Sequence, residues 1–245
     1  MIGSPLIPTL RMFHADGQSG IANDLLPLAE SIGVEVTNQG DFGAALAAVD
    51  VDGDGCSESL LVGAAKFGGD ESGAVVAITF NRNHGVKVSV IASRGLSSGF
   101  ADPSLALLVE DTRRFGSSLA SAGDLDGDGQ PEVLAASSVH IQDVPWLNGF
   151  DSTQRTGVIY LLTYSSDLLI VAVRLLGPLV GGPNGLFPGG LLPHRSEMFG
   201  TSITASDLDG DGLVEVAVGV AGYEVPFSAK YPHDVYEASP AGLSR

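Results

Sequence analysis

Residues 115–138 read FGSSLASAGDLDGDGQPEVLAASS, and the same arrangement occurs twice more in the chain. Residues 42–65 read FGAALAAVDVDGDGCSESLLVGAA, and residues 199–222 read FGTSITASDLDGDGLVEVAVGVAG. Each copy begins with Phe-Gly, continues through small and apolar residues to an acidic stretch, and ends in an apolar run rich in β-branched residues. Self-similarity of this kind indicates a repeat architecture.

The segments between the copies predict β-hairpins. Residues 73–80 (GAVVAITF) and 86–93 (VKVSVIAS) are joined by NRNHG, and residues 157–164 (GVIYLLTY) and 168–176 (LLIVAVRLL) are joined by SSD. Short β-branched runs bounded by turn residues are typical of paired antiparallel strands. One unit is therefore predicted to contain four antiparallel strands and a Gly-rich connector. Tandem units of this kind indicate an all-β protein built from β-propeller blades.

The repeat predicts a division of the 245 residues into four segments. Three blades do not close a ring of about four to eight blades, so we expect an incomplete ring that needs further blades of a longer chain. The predicted segments are an N-terminal segment that is a candidate remnant of a preceding blade (1–41), a first blade (42–114), a second blade with an insertion at 139–156 (115–198), and a partial third blade with a tail (199–245).

The acidic stretches share one spacing, with acids at positions 1, 3, 5 and 9 of a nine-residue loop and Gly at positions 4 and 6. Glycine accepts positive φ, which lets the backbone curl until alternate side chains converge. The acids are Asp50, Asp52, Asp54 and Glu58 in the first loop (50–58), Asp124, Asp126, Asp128 and Glu132 in the second loop (124–132), and Asp207, Asp209, Asp211 and Glu215 in the third loop (207–215).

Converging carboxylates predict a divalent cation in each loop, up to three in all. Two carboxylates ~4 Å apart repel by roughly 4 kcal/mol at an effective dielectric constant of ~20, so four need a cation or protonation. Six to eight hard oxygen ligands suit Ca²⁺, whereas Mg²⁺ prefers fewer carboxylates and keeps its waters. Position 7 varies in side chain, as expected if its backbone carbonyl is the ligand; it is occupied by Cys56, Gln130 and Leu213.

Two other structures could account for an acidic loop of this kind. An EF-hand is excluded because its position 12 requires a bidentate Glu, and here position 12 holds Leu61, Ala135 and Val218. The other alternative is a solvated Asp-Gly turn without metal, since both residues are ordinary in turns. Three copies in one register, each with Glu at position 9 and a β run after it, favour the metal.

Phe-Gly followed by Asp-X-Asp-X-Asp-Gly-X-X-acid and a β-strand resembles the FG-GAP repeat. That repeat is the blade unit of the integrin α-subunit N-terminal β-propeller and also occurs in glycosylphosphatidylinositol-specific phospholipase D. The resemblance covers residues 42–65, 115–138 and 199–222 and implies a seven-bladed propeller in the complete protein, with Ca²⁺ loops between the first two strands of certain blades. Position 9 is Glu here, where the family usually has Asp.

The resemblance implies a non-catalytic, calcium-binding propeller that presents loops to a protein or glycan ligand in adhesion outside the cell or at its surface. The alternative is an accessory propeller of a secreted hydrolase like the phospholipase. No phosphate-binding loop occurs in the sequence, and its one G-x-S-x-G match, GLSSG at residues 95–99, lies in a Gly-rich connector, so no enzyme is predicted within it. With 29 acidic and 12 basic residues, the surface is expected to repel nucleic acid.

The remaining features give narrower expectations. No signal peptide is recognisable near the N-terminus, and the most apolar run, residues 168–180, is too short to span a bilayer. The three Phe-Gly pairs are expected to pack blade against blade. Ordinary packing is the favoured interpretation of Trp146 and Tyr160, with a ligand-binding surface as the alternative. Cys56 is expected to plug the space under the strand as a small apolar group.

Overall fold

The computed structural model describes residues 11–13, 21–24, 41–80, 86–93, 98–110, 112–143, 153–176 and 198–221 of the chain. Within these ranges the chain forms twelve β-strands and one short 3₁₀ helix. The predicted all-β class is therefore confirmed. The described strands form open sheets, and they do not close into a ring.

Two four-stranded antiparallel sheets form the centre of the molecule. The first sheet has the order β3-β4-β5-β6, with β3 at Phe42–Val49, β4 at Ser59–Ala64, β5 at Ala74–Phe80 and β6 at Val86–Ser93. The second sheet has the order β10-β9-β8-β7, with β7 at Thr112–Gly123, β8 at Glu132–Asp143, β9 at Thr153–Tyr164 and β10 at Ile170–Leu176. Both predicted hairpins are present, as the pairs β5–β6 and β9–β10.

Two further sheets have two strands each. A third sheet pairs β11 (Met198–Ser206) with β12 (Glu215–Ala221). Near the N-terminus, β1 (Arg11–Phe13) pairs with β2 (Ile21–Asp24). The third sheet corresponds to the first half of each four-stranded sheet, because β11 and β12 flank the third loop as β3–β4 and β7–β8 flank the first and second.

The predicted insertion is in part an extension of the second sheet. Strands β8 and β9 continue to pair beyond the common repeat, from His140↔Thr156 to Asp143↔Thr153. Residues 139–143 and 153–156 therefore belong to a hairpin arm that the other described sheets do not have. Trp146 lies outside the described residues.

Two of the three predicted Phe-Gly corners, those at Phe115 and Phe199, join neighbouring sheets, whereas Phe42 packs against the apolar cluster of its own sheet. Phe115 is fully buried in the cluster between the first and second sheets, and it forms a parallel bridge with Gly73. Gly116 has φ +81°, and a β-carbon added there would lie 2.6 Å from the carbonyl oxygen of Ala74. A side chain at this position would therefore keep the backbones apart.

The third sheet packs on the other face of the second sheet through the equivalent residues. Phe199 is 7% exposed and lies in a cluster with Leu134, Ala136 and Ile159. At Gly200 an added β-carbon would lie 3.1 Å from the β-carbon of Ala136. The same corner thus makes an equivalent contact twice, and the first, second and third sheets stack in chain order.

The first sheet differs from the others by one residue in strand register. The residue before the first loop, Val49, pairs with Ser59, which follows the position-9 Glu. In the second sheet the pair is Gly123↔Glu132, which includes the Glu itself, and the third sheet does the same. A one-residue slip exchanges the two faces of a strand. Consequently Leu61, at position 12, faces the following sheet, whereas Ala135, also at position 12, faces the preceding one.

A 3₁₀ helix at Pro103–Val109 lies in the connector between the first two units. The Asp102 carboxylate accepts a hydrogen bond from the Ser104 N–H at 2.8 Å, and this bond lowers the pKa of Asp102. The connector also pairs with the second sheet, because the Ile170 N–H donates to the Gly99 carbonyl at 2.9 Å. None of the helical structure in the described ranges has the length and apolar character needed to cross a membrane.

Candidate metal centres

The position-1 Asp organises each loop by accepting hydrogen bonds from the backbone N–H groups of positions 4 and 6, and Asp124 also accepts one from the Asp128 N–H at 3.0 Å. In the first loop Asp50 accepts from the N–H groups of Gly53 and Gly55, both at 2.7 Å. Asp124 accepts from Gly127 and Gly129 at 2.8 and 2.9 Å, and Asp207 from Gly210 and Gly212 at 2.6 and 3.0 Å. Each carboxylate is therefore held at the centre of the curl that its own loop makes.

The position-9 Glu closes each loop from the opposite side. Its carboxylate accepts from the backbone N–H of position 2, with distances of 2.8 Å for Glu58 and Val51, 2.7 Å for Glu132 and Leu125, and 2.7 Å for Glu215 and Leu208. The longer Glu side chain thus reaches back across the loop from the first residue of the second strand. Sequence reasoning identified this Glu as a ligand type but missed its bond to the backbone.

The glycines at positions 4 and 6 adopt the conformation that the sequence predicts. All have positive φ, between +74° and +89°: Gly53, Gly55, Gly127, Gly129, Gly210 and Gly212. A β-carbon added at any of them would meet nothing in the described structure within 4 Å. Glycine is therefore required at these positions for its backbone conformation and not for lack of space, since L-residues with side chains rarely adopt positive φ.

The loops bring their carboxylates together into three groups in which one oxygen per residue lies within 4.8 Å of the others. The first group contains all four predicted acids of its loop, whereas Asp128 and Asp211 stand outside the second and third groups. In the second loop, both oxygens of Asp128 are engaged by Gln130. The groups are Asp50, Asp52, Asp54 and Glu58; Asp124, Asp126 and Glu132; and Asp207, Asp209 and Glu215.

Glu132 is the strongest indication that a cation fits the second loop. Its side chain is 1% exposed, and its Oε1 atom is buried without a hydrogen-bond partner in the structure. Burial raises the pKa of this carboxyl above its ordinary value, which the hydrogen bond from the Leu125 N–H partly opposes. A buried carboxylate oxygen without a partner is costly, and a coordinated metal ion would satisfy it. The donor set, all of it oxygen, suits Ca²⁺.

Cys56 does not have the role that the sequence suggested. Its thiol is exposed at position 7 of the first loop and does not plug the space under the strand. Asp54 is the main cause of the raised pKa of this thiol, with Asp50 and Asp52 acting in the same direction. The position-7 N–H groups of Cys56, Gln130 and Leu213 each donate to the position-5 Asp at 2.8 Å. That their carbonyls are metal ligands stays a prediction.

One basic side chain approaches the second loop. Arg174, on the outermost strand β10, lies with Nη2 at 3.7 Å from Oδ2 of Asp126, and both side chains are largely exposed. The pair places a positive charge beside one of the converging carboxylates. The sequence does not indicate this pair, because Asp126 and Arg174 are 48 residues apart along the chain.

Tyr160 is not part of a binding surface. Its side chain is fully buried, and its ring meets the Phe115 ring edge to face, with the centroids 5.5 Å apart. Such aromatic pairs stabilise cores beyond the area that they bury. The alternative interpretation, a ligand contact at Tyr160, is wrong because β9 is covered on both faces in the middle of the stack.

A known sequence family matches the parts of the chain that contain two of these loops. The sequence model of the FG-GAP repeat matches residues 42–78 and 199–231. These spans contain the first and third loops with their flanking strands. The chain carries FG-GAP repeats. The second copy, at residues 115–138, lies outside both matched spans, although its loop makes the same position-1 and position-9 hydrogen bonds.

Known proteins with similar sequences include integrin α-subunits. Human integrin alpha-X is 27% identical over 201 residues, and mouse integrin alpha-2 is 28% identical over 201 residues. Each alignment covers 79% of this chain and 14% of the relative. The chain therefore spans about one seventh of the length of these relatives, and the similarity is to an integrin-like β-propeller region.

Proposed function

We propose that this chain is a calcium-binding FG-GAP propeller segment that presents loops to a protein or glycan ligand outside the cell or at its surface. The calcium assignment is carried by the acids at positions 1, 3 and 9, which converge in all three loops; in the second loop a carboxylate oxygen of position 9 is buried without a partner. A loop that repeats both its sequence and its hydrogen bonds is better explained by a shared ligand than by three independent turns.

The proposed ligands are the carboxylates of all three loops together with the position-7 carbonyls of Cys56, Gln130 and Leu213. The hydrogen bonds from the glycine N–H groups orient the position-1 Asp before any ion arrives, which lowers the ordering needed on binding. Calcium would supply the positive charge that the convergent carboxylates lack. Three ions would offset six of the seventeen net negative charges of the chain.

The proposed location of the protein, outside the cell or at its surface, is supported by the calcium affinity expected of such loops and by the similar integrin α-subunits. Extracellular modules bind Ca²⁺ at roughly 10⁻⁴–10⁻³ M, a range that suits solvent-exposed acidic loops. Integrin α-subunits, which are similar in sequence, point to an adhesive role for this chain at a cell surface or outside it. We infer that the chain acts by binding and not by catalysis, because the clustered acids of the described residues all lie in the three loops.

Calcium titration of the intact chain tests this proposal. In isothermal titration calorimetry we expect up to three Ca²⁺ ions per chain, and a melting temperature that rises with Ca²⁺ and falls again on chelation. Binding to the native state at 100 times Kd stabilises by about 2.7 kcal/mol. Asp126→Ala and Asp209→Ala should each remove one site, whereas Glu110→Gln, at an exposed acid outside the loops, should remove none.

Two results would contradict the calcium assignment. One is a melting curve that is identical in Ca²⁺ and in chelator. The other is an equal response to Ca²⁺ in the wild type and in both loop variants, which would place any binding elsewhere on the acidic surface.

A further inference from the structure

The position-9 Glu occupies different places in the first and second sheets. Glu132 is the first residue of β8, and it pairs with Thr163 of the neighbouring strand β9. In the first sheet the pair at the same end is Ser59↔Thr79, so Glu58 comes one residue before strand β4. The one-residue difference in register therefore places Glu132 within the ladder of paired strands and Glu58 before it.

The two carboxylates consequently differ in their access to water. Glu132 is 1% exposed; its Oε2 accepts from the Leu125 N–H at 2.7 Å, whereas its Oε1 is buried without a hydrogen-bond partner. The Thr163 hydroxyl also acts on this carboxylate and opposes the rise in pKa that burial causes, but it leaves Oε1 without a hydrogen bond. Glu58 is only partly buried, so water reaches it when no ion is bound.

The place that Glu132 fills in the second sheet is filled in the first sheet by a group that needs no metal. Ser59 is 2% exposed, and its hydroxyl lies 3.5 Å from the Thr79 hydroxyl. Two hydroxyls can satisfy each other, because each is both a donor and an acceptor. An ionised carboxylate only accepts, so the buried oxygen of Glu132 needs either a donor or a cation.

The acids of the first loop can separate without disturbing their sheet. Asp52 and Asp54 are exposed, and the hydrogen bonds to the acids of this loop come from its own backbone N–H groups. Without an ion, their repulsion is relieved when the side chains turn into water. Glu132 lacks this route. Its backbone pairs with Gly123 on one side and Thr163 on the other, so it reaches water only if β8 separates from a neighbouring strand.

The basic side chain beside the second loop does not relieve Glu132. Arg174 approaches Asp126 at 3.7 Å, and both of these side chains are largely exposed. An ion pair of this kind contributes little to stability. It also leaves the buried oxygen of Glu132 without a partner, so a cation within the loop is the group that would satisfy it.

We propose that the ion of the second loop is coupled to the pairing of β8 with its neighbouring strands, whereas the ion of the first loop is not coupled to the pairing of β4. This coupling rests on the Ca²⁺ binding proposed above, and it makes calcium a regulator of the order of one sheet. Withdrawal of Ca²⁺ opens the second sheet at Glu132 and leaves the first sheet closed. The strands that open, β8 and β9, are the two that form the hairpin arm.

Hydrogen exchange of the intact chain, followed by mass spectrometry in about 1 mM Ca²⁺ and in chelator, tests the proposal. On chelation the amides of residues 132–137 and 158–163, which pair with each other, should lose protection by roughly tenfold or more, as expected for one unsatisfied buried charge. The equivalent amides of the first sheet, at residues 59–64 and 74–79, should keep their protection. Calorimetric titration reports separately whether Ca²⁺ binds.

Two pairs of variants separate the coupling from a general effect of calcium. Asp126→Ala should leave the second sheet poorly protected even in Ca²⁺, whereas Asp52→Ala, its counterpart in the first loop, should leave the first sheet protected. In chelator, Glu132→Gln should protect the second sheet better than the wild-type residue does, because a neutral amide costs less to bury than a carboxylate. Glu58→Gln is the matched control and should not change the first sheet. Circular dichroism establishes that each variant is folded.

Calorimetry distinguishes failure of the coupling from failure of the proposed calcium sites. Ca²⁺ that binds without changing exchange in the second sheet, or that protects both sheets equally, would overturn the coupling and leave the calcium sites in place. A chain that binds no Ca²⁺ would overturn both. Loss of protection confined to the second sheet, and diminished in Glu132→Gln, would support the coupling.

Discussion

The second and third loops share the sequence DLDGDG, yet they lie in different surroundings. The second loop belongs to a four-stranded sheet covered on both faces, and its Glu132 is 1% exposed. The third loop belongs to a two-stranded sheet, its Glu215 is only partly buried, and Leu208 at position 2 is 64% exposed. The loop sequence therefore determines the curl and its hydrogen bonds, while the neighbouring sheet determines the dielectric environment of the carboxylates.

The largest expected difference is in packing beside the two loops. Leu134 on β8 is fully buried between the second and third sheets, whereas Val220 on β12 is 38% exposed. We expect Leu134→Ala to lower the free energy of unfolding by about 2–5 kcal/mol, because it leaves a cavity in a close-packed cluster. Val220→Ala should cost less than about 1 kcal/mol. Urea unfolding followed by circular dichroism measures both, and equal losses would remove the contrast between the sheets.

The next difference concerns the charge of the position-9 Glu. Burial raises the pKa of Glu132, so at neutral pH its ionised form destabilises the metal-free protein. Glu132→Gln should raise the stability in chelator, with the sign reversed in saturating Ca²⁺ because a ligand charge is lost. Glu215→Gln, at the more exposed position, should change little in chelator. Thermal unfolding in the two buffers provides the test, and a Glu132→Gln effect of the same sign in both would contradict it.

The smallest expected effect on stability is that of replacing Arg174, which lies beside Asp126 of the second loop. An ion pair between exposed side chains contributes about 0–1 kcal/mol, so Arg174→Ala should hardly change stability. Removing a positive charge beside the carboxylates should increase the Ca²⁺ affinity of the second loop by at most about fivefold, the equivalent of 1 kcal/mol. Calorimetric titration measures this change. Weaker binding in the variant would show that Arg174 helps to position Asp126.

Much of the architecture could be read from the sequence because its signals are local. The three acidic stretches predict the positions of the three loops, and the glycines at positions 4 and 6 predict the positive φ angles that the structure has there. The β-branched runs predict the hairpins β5–β6 and β9–β10, and both are present. The Phe-Gly pairs predict the contacts between sheets. The Phe supplies a large apolar side chain for the contact, and the Gly, which has no side chain, lets the two backbones approach closely.

What the sequence did not reveal depends on neighbours that are distant along the chain. The Tyr160 side chain lies in the core and does not form part of a ligand-binding surface, whereas the small Cys56 thiol is exposed to solvent and does not fill a space under the strand. The unsatisfied oxygen of Glu132 depends on burial in the folded second sheet, where Glu132 pairs with Thr163 of β9. No single stretch encodes the pairing of β8 with β9 out to Asp143, since that register depends on both strands.

The one-residue register difference of the first sheet limits how the repeats can be exchanged. Val49↔Ser59 closes the first loop, whereas Gly123↔Glu132 closes the second, so residues with the same loop number point to opposite sides of their sheets. A chimera that exchanges the strand after the first loop with the corresponding strand of the second or third unit would turn its apolar side chains towards the wrong neighbour. The three units are alike as sequences but are not modular parts, and an engineer who recombines them must move both strands of a pair together.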